Sequence, residues 1–569
     1  MSYRRLAASA AVLAAGISFI PGTAQAADPA ASGGAQGLTT PDLIPADAVE
    51  KTKFSSPAAE STRTAPAPTT GGGFATPQST APSTGAGTMA AEAAAADFQV
   101  GVDAYTMSAH GVALDVWVEN LATNASVTIA WGDGATTNAS YDGSGQPVSS
   151  EHTYAELGTY TVKVTVTDSG TGTAVTNEVQ LTTEGSDYTP YGPTRLLDTR
   201  NGTGAPKAKI AKYTSAKVKI AGNGGIPAGV TAVVLNVTVT NTTSGGHVTA
   251  YADGDDRPTT SNVNFAPGQT VPNLVIVPVG ANGYVNLYNG GWESVDLIAD
   301  VTGYFTQSAS SGYTPLAPER FVDTRNGTGT AQGQVAGYGS FNVQIAGKGK
   351  VPASGVKAVA LNVTVTNPKS DGHLTVYPSG QSAPTASNVN FTAGQTIANS
   401  VIVPVGPDGK IVVRNGGWNP ADVIVDVVGY YSPASQGAYL PFQPERLLDT
   451  RDDATWGEGP LGGRGYIYLP LAAGEPGITG FVLNSTVTNT KDNGYLAVSP
   501  DPNTIDAYID DTATWPTAPT SSTLNWTVGK TVPNLVQAST GSNGIVDFWN
   551  QSDGNVDLIV DVFGMYQDN

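Results

Sequence analysis

The sequence predicts an all-β protein built from several domains. Of 569 residues, 68 are glycine and 38 are proline, and these residues end helices and shape turns. Only 13% of the residues are charged and cysteine is absent, which excludes a coiled coil, a disulfide scaffold and a zinc-thiolate protein. Short runs alternate polar and β-branched residues with a period of two, and no stretch keeps a helical period. This pattern is typical of antiparallel strands separated by turns.

Residues 1–26 are predicted to be a secretory signal peptide. Arg4 and Arg5 precede an apolar stretch that is too short for a confident membrane span, and Ala24-Gln-Ala is a small-residue cleavage site. The general and the twin-arginine export routes both stay open. Without a second apolar run or a cysteine for lipidation, we expect a secreted chain. It would be extracellular or bound non-covalently to the cell wall, with no membrane insertion.

The net charge argues against a polyanionic partner. The chain carries a formal charge of −20, and removal of the signal peptide would take away two arginines and no acidic residue. Because binding to phosphate backbones needs clustered lysine and arginine, we expect no nucleic acid partner.

Residues 27–97 are predicted to be a disordered linker. The composition shifts there to alanine, threonine, proline, serine and glycine, with too few large apolar side chains to offset backbone entropy. One short helix in the alanine-rich stretch before Phe98 is the only local structure expected.

Residues 98–185 show alternating strands and a recognisable motif. Trp131-Gly-Asp-Gly is followed by His152-Thr-Tyr and by Gly158-Thr-Tyr-Thr-Val. These residues resemble the signature of PKD domains, which implies an immunoglobulin-like sandwich that acts as a spacer or as a contact module. The polar stretch from Ala139 to Ser150 departs from the regular strand pattern.

The rest of the chain is a threefold internal repeat. We place repeat 1 at 187–307, repeat 2 at 312–433 and repeat 3 at 438–569. Each begins with Arg-x-x-Asp-Thr-Arg, and the first arginines are 125 and 126 residues apart. Later landmarks recur in order: Asn-x-Thr-Val-Thr-Asn from Asn236, Asn362 and Asn484, a serine-led motif from Ser261, Ser387 and Ser522, and a closing Asp-x-x-x-Asp-Val-x-Gly from Asp296, Asp422 and Asp557.

About eight strands can be counted in each repeat, which predicts an antiparallel β-sandwich or jelly-roll-like domain. Each repeat is long enough for its own core, so we expect a string of separate domains. The repeats also resemble uncharacterised repeats of secreted actinobacterial proteins, some of them attached to cell-wall hydrolases.

The charged residues of the opening and closing motifs are predicted to form structural ion pairs. A carboxylate in an apolar strand needs a cationic or hydrogen-bonding partner, and an opening arginine with a closing aspartate supplies one in every repeat. The residues concerned are Arg195, Asp198, Arg200 and Asp300, Arg320, Asp323, Arg325 and Asp426, and Arg446, Asp449, Arg451 and Asp561. A paired-carboxylate glycosidase is the alternative, but two aspartates four apart on one strand lie about 13 Å apart, which is too far.

Three tryptophans are the candidate ligand contacts. Trp292 and Trp418 follow Asn-Gly-Gly turns, and Trp549 lies in the same region of repeat 3. A tryptophan at a turn tip is a platform for a saccharide, whereas packing on a neighbouring strand is the structural alternative. The polar face of the Asn-x-Thr-x-Thr strands, such as Asn236 and Thr238, could likewise bind sugar hydroxyls or make strand-end hydrogen bonds.

No cofactor is expected. The four histidines share no metal-ligand spacing. The acidic loops around Asp253 and from Asp501 to Asp511 are the only calcium candidates, with solvated turns as the alternative. No Gly-x-Ser-x-Gly, His-Glu-x-x-His or Walker motif occurs, so an enzyme has no support.

We therefore expect a secreted, multivalent binding protein of the cell surface or extracellular matrix, directed at polysaccharide or at a cell-wall component, because tethered copies of a weak site raise avidity. The alternatives are a structural or adhesive surface protein that contacts other proteins, and accessory modules of a secreted hydrolase. Oligomeric state and the specific ligand do not follow from the sequence.

Overall fold

The computed structural model describes residues 35–37, 51–64 and 98–569, apart from 453, 454 and 476. The predicted signal peptide and most of the predicted linker, including its alanine-rich stretch, lie outside the described residues. Within the described part, no helix is long and apolar enough to cross a membrane. The all-β fold class is confirmed, since every sheet is antiparallel except for one added edge strand.

The first domain is a sandwich of two sheets. The chain first forms β1 (Ala35–Gly37), which joins a sheet of repeat 3. The strands of the first domain are β2 (Lys53–Ser56), β3 (Thr62–Thr64), β4 (Gln99–Thr106), β5 (Gly111–Glu119), β6 (Ala125–Ala130), β7 (Thr136–Tyr141), β8 (Val148–Thr153), β9 (Thr159–Asp168) and β10 (Ala174–Thr182), with a 3₁₀ turn at Ala58–Glu60. One sheet has the order β2-β4-β5-β8 and the other β3-β10-β9-β6-β7. Alternating burial along β6, β9 and β10 matches one face in the core and one face in solvent.

The prediction of an unstructured linker over 27–97 is wrong for residues 35–37, which form β1, and for residues 51–64. β2 pairs with β4, and β3 extends the other sheet along β10. Asn177, which is buried, donates to the carbonyl oxygens of Ser56, Pro57 and Val100 at 3.3, 3.2 and 2.7 Å. These strands were missed because their partners lie far away in the chain, and local composition carries no signal of them.

Each repeat contributes eight strands. Repeat 1 has β11 (Asp187–Asp198), β12 (Ser215–Lys219), β13 (Val230–Thr240), β14 (Gly246–Ala252), β15 (Val263–Phe265), β16 (Val271–Pro278), β17 (Tyr284–Asn289) and β18 (Asp296–Thr306). Repeat 2 has β19 (Gly312–Asp323), β20 (Ser340–Gln344), β21 (Ala358–Thr366), β22 (Gly372–Pro378), β23 (Val389–Phe391), β24 (Ile397–Pro404), β25 (Lys410–Asn415) and β26 (Asp422–Ser432). Repeat 3 has β27 (Ala438–Asp449), β28 (Tyr466–Leu469), β29 (Ile478–Thr488), β30 (Gly494–Pro500), β31 (Leu524–Trp526), β32 (Val532–Ser539), β33 (Val546–Asn550) and β34 (Asp557–Gln567), plus α1 (Ile505–Ile509).

The strand order makes every repeat a jelly roll. In repeat 1 the inner sheet runs β11-β18-β13-β16 and the outer sheet β12-β17-β14-β15, and the other repeats copy this order. Two four-stranded sheets whose strands alternate between layers in this way are the double Greek key of a jelly roll. In repeat 3, β1 adds to the free edge of the outer sheet, parallel to β28.

The inner sheets are buried on both faces. One face packs against the outer sheet of its own repeat, and the other contributes to a single apolar cluster shared by all three repeats. This double burial explains why β13, β21 and β29 read as near-continuous runs of buried residues and not as an alternating pattern.

The three repeats form one body, so the expectation of a string of separate domains is wrong. β16, β24 and β32 contact one another pairwise. A ring of asparagines connects the repeats: Asn236 donates to the carbonyl oxygen of Ser387 at 2.8 Å, Asn362 to that of Ser522, and Asn484 to that of Ser261 at 2.7 Å. The contacts therefore run from repeat 1 to 2, from 2 to 3 and from 3 back to 1, which is an approximate threefold arrangement within one chain.

Six buried aromatic side chains close a second ring at the same junction. In cyclic order they are Tyr188, Tyr431, Tyr313, Tyr566, Tyr439 and Phe305, with successive ring centroids 4.2, 4.8, 4.3, 5.3, 4.7 and 5.5 Å apart. Each repeat supplies one ring from its first strand and one from its last. Because these rings are fully buried, their apolar area holds the repeats together.

The glycine of each closing motif is needed for this ring. A Cβ atom at Gly303, Gly429 or Gly564 would overlap the ring of Tyr188, Tyr313 or Tyr439. The three tyrosine hydroxyls then donate to the carbonyl oxygens of Thr302, Val428 and Phe563 at 2.9, 3.1 and 3.0 Å. The motif therefore combines an ion-paired aspartate with a platform for a tyrosine.

The first sandwich is attached to the repeats through main-chain and side-chain contacts. Ser186 and Tyr439 exchange backbone hydrogen bonds of 2.9 and 2.8 Å, and Gln567 accepts from the amide of Ala109 at 2.9 Å. Ala109 and Leu157 belong to the same apolar cluster as the core of repeat 3.

We expect Tyr313→Ala to lower the free energy of unfolding by about 3–5 kcal/mol, the usual cost of removing a large buried ring. Tyr313 lies between two other rings of the junction. Urea denaturation followed by tryptophan fluorescence measures the change. Trp418→Ala, at an exposed position in the same repeat, should change stability by no more than about 0.5 kcal/mol. Equal losses for both variants would show that the repeats do not depend on this junction.

Candidate functional site

The charged motifs form a closed network in each repeat. In repeat 2, Arg320 donates from Nε to Asp426 at 2.9 Å and from the second guanidinium nitrogen at 3.2 Å. Arg325 binds Asp323 at 2.9 and 2.7 Å, and Arg320 also approaches Asp323 at 3.6 Å. The same contacts recur in repeat 1 between Arg195, Asp198, Arg200 and Asp300. In repeat 3, Arg446 and Arg451 both bind Asp449, and Arg446 binds one oxygen of Asp561 through Nε at 2.9 Å.

Burial and pairing act in opposite directions on these carboxyls. Burial raises the pKa of Asp426 and of Asp561 above its usual range, although the facing arginine opposes the shift. The hydrogen bond from Arg200 holds the pKa of Asp198 below its usual range. Because arginines of the same repeat bind each carboxylate, the network holds the first strand against the last strand.

The exposed aromatic residues form two matching pairs. In repeat 1, Trp292 is 69% exposed and meets Tyr213 edge to face, with centroids 6.1 Å apart. In repeat 2, Trp418 is 78% exposed and meets Tyr338 at 5.3 Å in the same geometry. We call each of these an aromatic pair. Trp292 and Trp418 therefore stand at turn tips, as the sequence indicated, and the two tyrosines are partners that sequence reasoning missed.

A buried asparagine builds the turn that presents each tryptophan. Asn289 donates to the carbonyl oxygens of Ile210, Ala211 and Glu293 at 3.1, 3.2 and 3.0 Å and accepts from the amide of Gly291 at 2.9 Å. Asn415 does the same in repeat 2. Since these bonds connect the turn to the loop that carries the tyrosine, they fix the two rings relative to each other.

A half-buried histidine lies under each turn. A Cβ atom at Gly290 would overlap the ring of His247, and one at Gly416 would overlap the ring of His373. Burial lowers the pKa of both histidines, which favours the neutral imidazole. The Asn-Gly-Gly-Trp sequence is therefore a packing requirement as well as a turn.

Repeat 3 has lost the aromatic pair. At the positions of Tyr338 and Trp418 it has Arg464 and Asp553, which form an ion pair of 2.8 Å. The prediction that Trp549 is a ligand contact is wrong, because its side chain is 1% exposed and stacks on Tyr466 at 4.4 Å. Trp549 lies one residue before the turn asparagine, on the outer surface of the outer sheet, where Tyr466 and Trp515 contact it. Its place along the strand therefore did not reveal its burial.

The polar strand faces do not reach solvent. Asn236 and Thr238 are buried, and Asn236 makes the inter-repeat hydrogen bond described above. The sugar-binding interpretation of this face is therefore excluded. The alternative, a hydrogen bond at the end of its own strand, does not describe Asn236 either, because its partner Ser387 belongs to another repeat.

The carboxylates of the acidic loops accept hydrogen bonds from other groups of the protein. Asp253 accepts from Lys217, Asn282 and Asn286 at 2.9, 2.7 and 2.8 Å. In repeat 3 the carboxyl of Asp501 accepts from Asn503 at 2.6 and 2.9 Å and from the Tyr508 hydroxyl. Within the described residues, no group of three acidic or histidine side chains could hold a metal ion.

The motif residues of the first sandwich form one aromatic column. The ring of His152 stacks on Trp131 at 4.8 Å, and its Nε2 lies 2.8 Å from Asp133. Tyr154, whose hydroxyl donates to the carbonyl oxygen of Trp131 at 2.9 Å, stacks on Tyr160 at 3.8 Å. These residues stabilise the sandwich core and the turn after β6.

Comparison with known proteins finds only remote likenesses. No protein-family model matches the chain, and no curated protein sequence is significantly similar to it. Among solved structures, the tandem CBM22-1–CBM22-2 domain of Paenibacillus barcinonensis Xyn10C aligns with 42% of this chain and 98% of its own, at 11% identity and a TM-score of 0.14. Bacteroides ovatus SGBP-B, solved with a mixed-linkage heptasaccharide, aligns with 80% of this chain and 92% of its own, at 11% identity and a TM-score of 0.13. The STIV MCP aligns with 43% of this chain and 96% of its own, at 9% identity and a TM-score of 0.13. At such scores these likenesses carry no argument about function.

We expect Arg320→Met to destabilise the protein by about 3–5 kcal/mol, because it leaves the buried carboxylate of Asp426 without its cation. Thermal and urea denaturation measure the loss. Arg464→Met is the matched control, since its partner Asp553 is 72% exposed, and an exposed pair contributes no more than about 1 kcal/mol. A loss for Arg320→Met as small as that of the control would contradict the structural role of the motif.

Proposed function

We propose that this chain is an exported polysaccharide-binding protein in which the two aromatic pairs are the binding sites. The observation that carries the proposal is the pair of exposed indoles, 69% and 78% accessible, held at equivalent turns of repeats 1 and 2. Exposed large aromatic side chains that the fold itself positions are typical of contact sites.

The geometry of a pair suits a sugar ring. The indole offers a flat apolar face, and the tyrosine stands nearly perpendicular to it, with interplanar angles of 79° and 78°. Such a corner contacts the C–H face of a pyranose on one side and leaves the phenolic hydroxyl for a hydrogen bond on the other. Because the turn is fixed by buried asparagines, little side-chain entropy is lost on binding.

Two sites on one body also suit a polymer. The repeats are joined by the asparagine and aromatic rings, so the two pairs keep a constant separation. A repeating ligand that engages both pairs gains avidity by about 10²–10⁴ over one site. The substitution of both aromatic residues in repeat 3 leaves two sites where the sequence predicted three.

Co-sedimentation of the full chain with peptidoglycan, chitin and cellulose tests the proposal. We expect retention on one polymer, a loss of about 10²-fold in apparent affinity for Trp292→Ala or Trp418→Ala alone, and no retention for the double variant. Trp117→Ala is the matched control, because Trp117 is an exposed tryptophan of the first sandwich. Thermal denaturation of each variant verifies folding.

Two results would contradict the proposal. Absence of retention of the unaltered chain on every polymer would exclude these glycans. Retention of the folded double variant at full affinity would place the site elsewhere.

A further inference from the structure

The outer sheet of repeat 3 is covered by a segment that the other repeats lack. Between β30 and β31 the chain runs from 501 to 523, whereas the corresponding connection in repeat 1 covers only 253–262. We call residues 501–523 the cap. It contains α1, and Tyr508 of this helix lies flat on Tyr468, with centroids 3.8 Å apart and an interplanar angle of 17°.

The cap hides an aromatic face. Tyr466 and Trp549 stack at 4.4 Å on the outer surface of the sheet, and Trp515 of the cap meets Tyr466 edge to face at 5.0 Å. By strand register, the position of Trp549 corresponds to Tyr288 in repeat 1 and to Arg414 in repeat 2. Both of these side chains are partly exposed.

Two carboxyl groups meet under the cap without a cation. Asp547 is fully buried, and both of its oxygens lack a donor among the described residues. It faces the carboxyl of Asp501. In repeat 1 the equivalent of Asp547 is Asn286, which donates to Asp253, and Lys217 completes that site. Repeat 3 has Tyr468 at the lysine position, so both the amide donor and the ammonium donor, with its positive charge, are absent.

The groups around Asp547 require a proton. Besides Asp501, Asp547 has Tyr466 and Trp549 beside it and Tyr468 as its cross-strand neighbour. Tyr508 on α1 bonds to Asp501 and to the Tyr466 hydroxyl. Asp511 acts on Tyr468 from the cap. No ion pair to Asp501 or Asp547 exists in the described part of the chain. Two adjacent buried carboxylates cannot both ionise without a large cost, and burial together with Asp501 raises the pKa of Asp547 well above its usual range.

The cap is separable from the sheet beneath it. Repeats 1 and 2 fold into the same eight strands without this insertion, so the outer sheet does not depend on the cap. Much of the cap surface faces solvent, including Ile509 and Trp515, which are both large and exposed.

We propose that one proton shared between Asp501 and Asp547 holds the cap closed, and that loss of this proton releases the cap and uncovers the Tyr466, Tyr468 and Trp549 face as a third sugar-binding surface. The assignment of a sugar to this face rests on the proposed function. The closure of the cap by the shared proton, which we call the proton latch, does not. The closed form binds one proton more than the open form, so the cap is most stable in acid. Its stability falls as the pH rises through the raised pKa of Asp547.

Proteinase K digestion of the full chain between pH 7 and pH 10 tests the latch, with cleavage inside 501–523 followed by mass spectrometry and corrected for protease activity on an unstructured peptide. We expect the corrected rate to rise by up to about tenfold per pH unit, because cleavage tracks the open population. Asp547→Asn restores the amide of repeat 1 and should remove this slope. Asp553→Asn, an exposed carboxylate of the same repeat, should keep it.

The latch is overturned if the unaltered chain shows no slope, if Asp547→Asn keeps the slope, or if cleavage spreads through β28 and β33 together with the cap. For the face, we expect the Trp292→Ala, Trp418→Ala double variant to regain retention on the polymer at pH 9.5 and to stay unbound at pH 7. No retention at pH 9.5 despite an open cap would overturn the third surface. If the unaltered chain binds no polymer, the proposed function and the third surface fail together, and the pH slope alone decides the latch.

Discussion

The junction of the three repeats is the constraint on which the rest of this structure depends. Each inner sheet has an apolar face that its own outer sheet cannot cover, and that face becomes dry only when the other two repeats are present. The hydrophobic gain grows with the apolar area buried. Three repeats around one axis bury the apolar faces that a string of independent domains would leave exposed to water. The asparagine ring then sets the register, because a shift of one repeat would leave buried amides without acceptors.

The junction also departs from its own symmetry. Gln537 stands where the other repeats have Ile276 and Ile402, and its amide donates to the hydroxyls of Tyr431 and Tyr566 at 2.7 and 2.8 Å. Repeat 1 has Phe305 in place of these tyrosines. A polar contact that only two of the three repeats can make distinguishes otherwise similar partners, in the way that a buried polar residue specifies register in other assemblies. Because the three repeats are parts of one chain, each can carry different residues at the junction, and Gln537 makes repeat 3 distinct from the other two.

That differentiation is visible on the outside of the molecule. Repeats 1 and 2 have an exposed aromatic pair above a half-buried histidine. Repeat 3 has Arg464 and Asp553 in place of the pair, and the cap covers its outer sheet. The inner sheets are constrained by one another and change little. The outer sheets and their turns carry no such constraint, so binding surfaces and a proton-dependent cover can develop there without disturbing the junction.

The sequence by itself determined the all-β fold class, the threefold self-similarity, the charged opening and closing motifs and the place of Trp292 and Trp418 after Asn-Gly-Gly, because all of these follow from local periodicity, turn chemistry and repetition. Only the tertiary structure decided that Asn236 faces another repeat, that Trp549 is buried, that Tyr213 and Tyr338 complete the aromatic pairs, and that residues 51–64 belong to the first sandwich. The physical reason is the distance along the chain between the partners. The periodicity of a strand shows which side chains share a face, but the segments that cover that face lie far away along the chain, so local sequence does not reveal them.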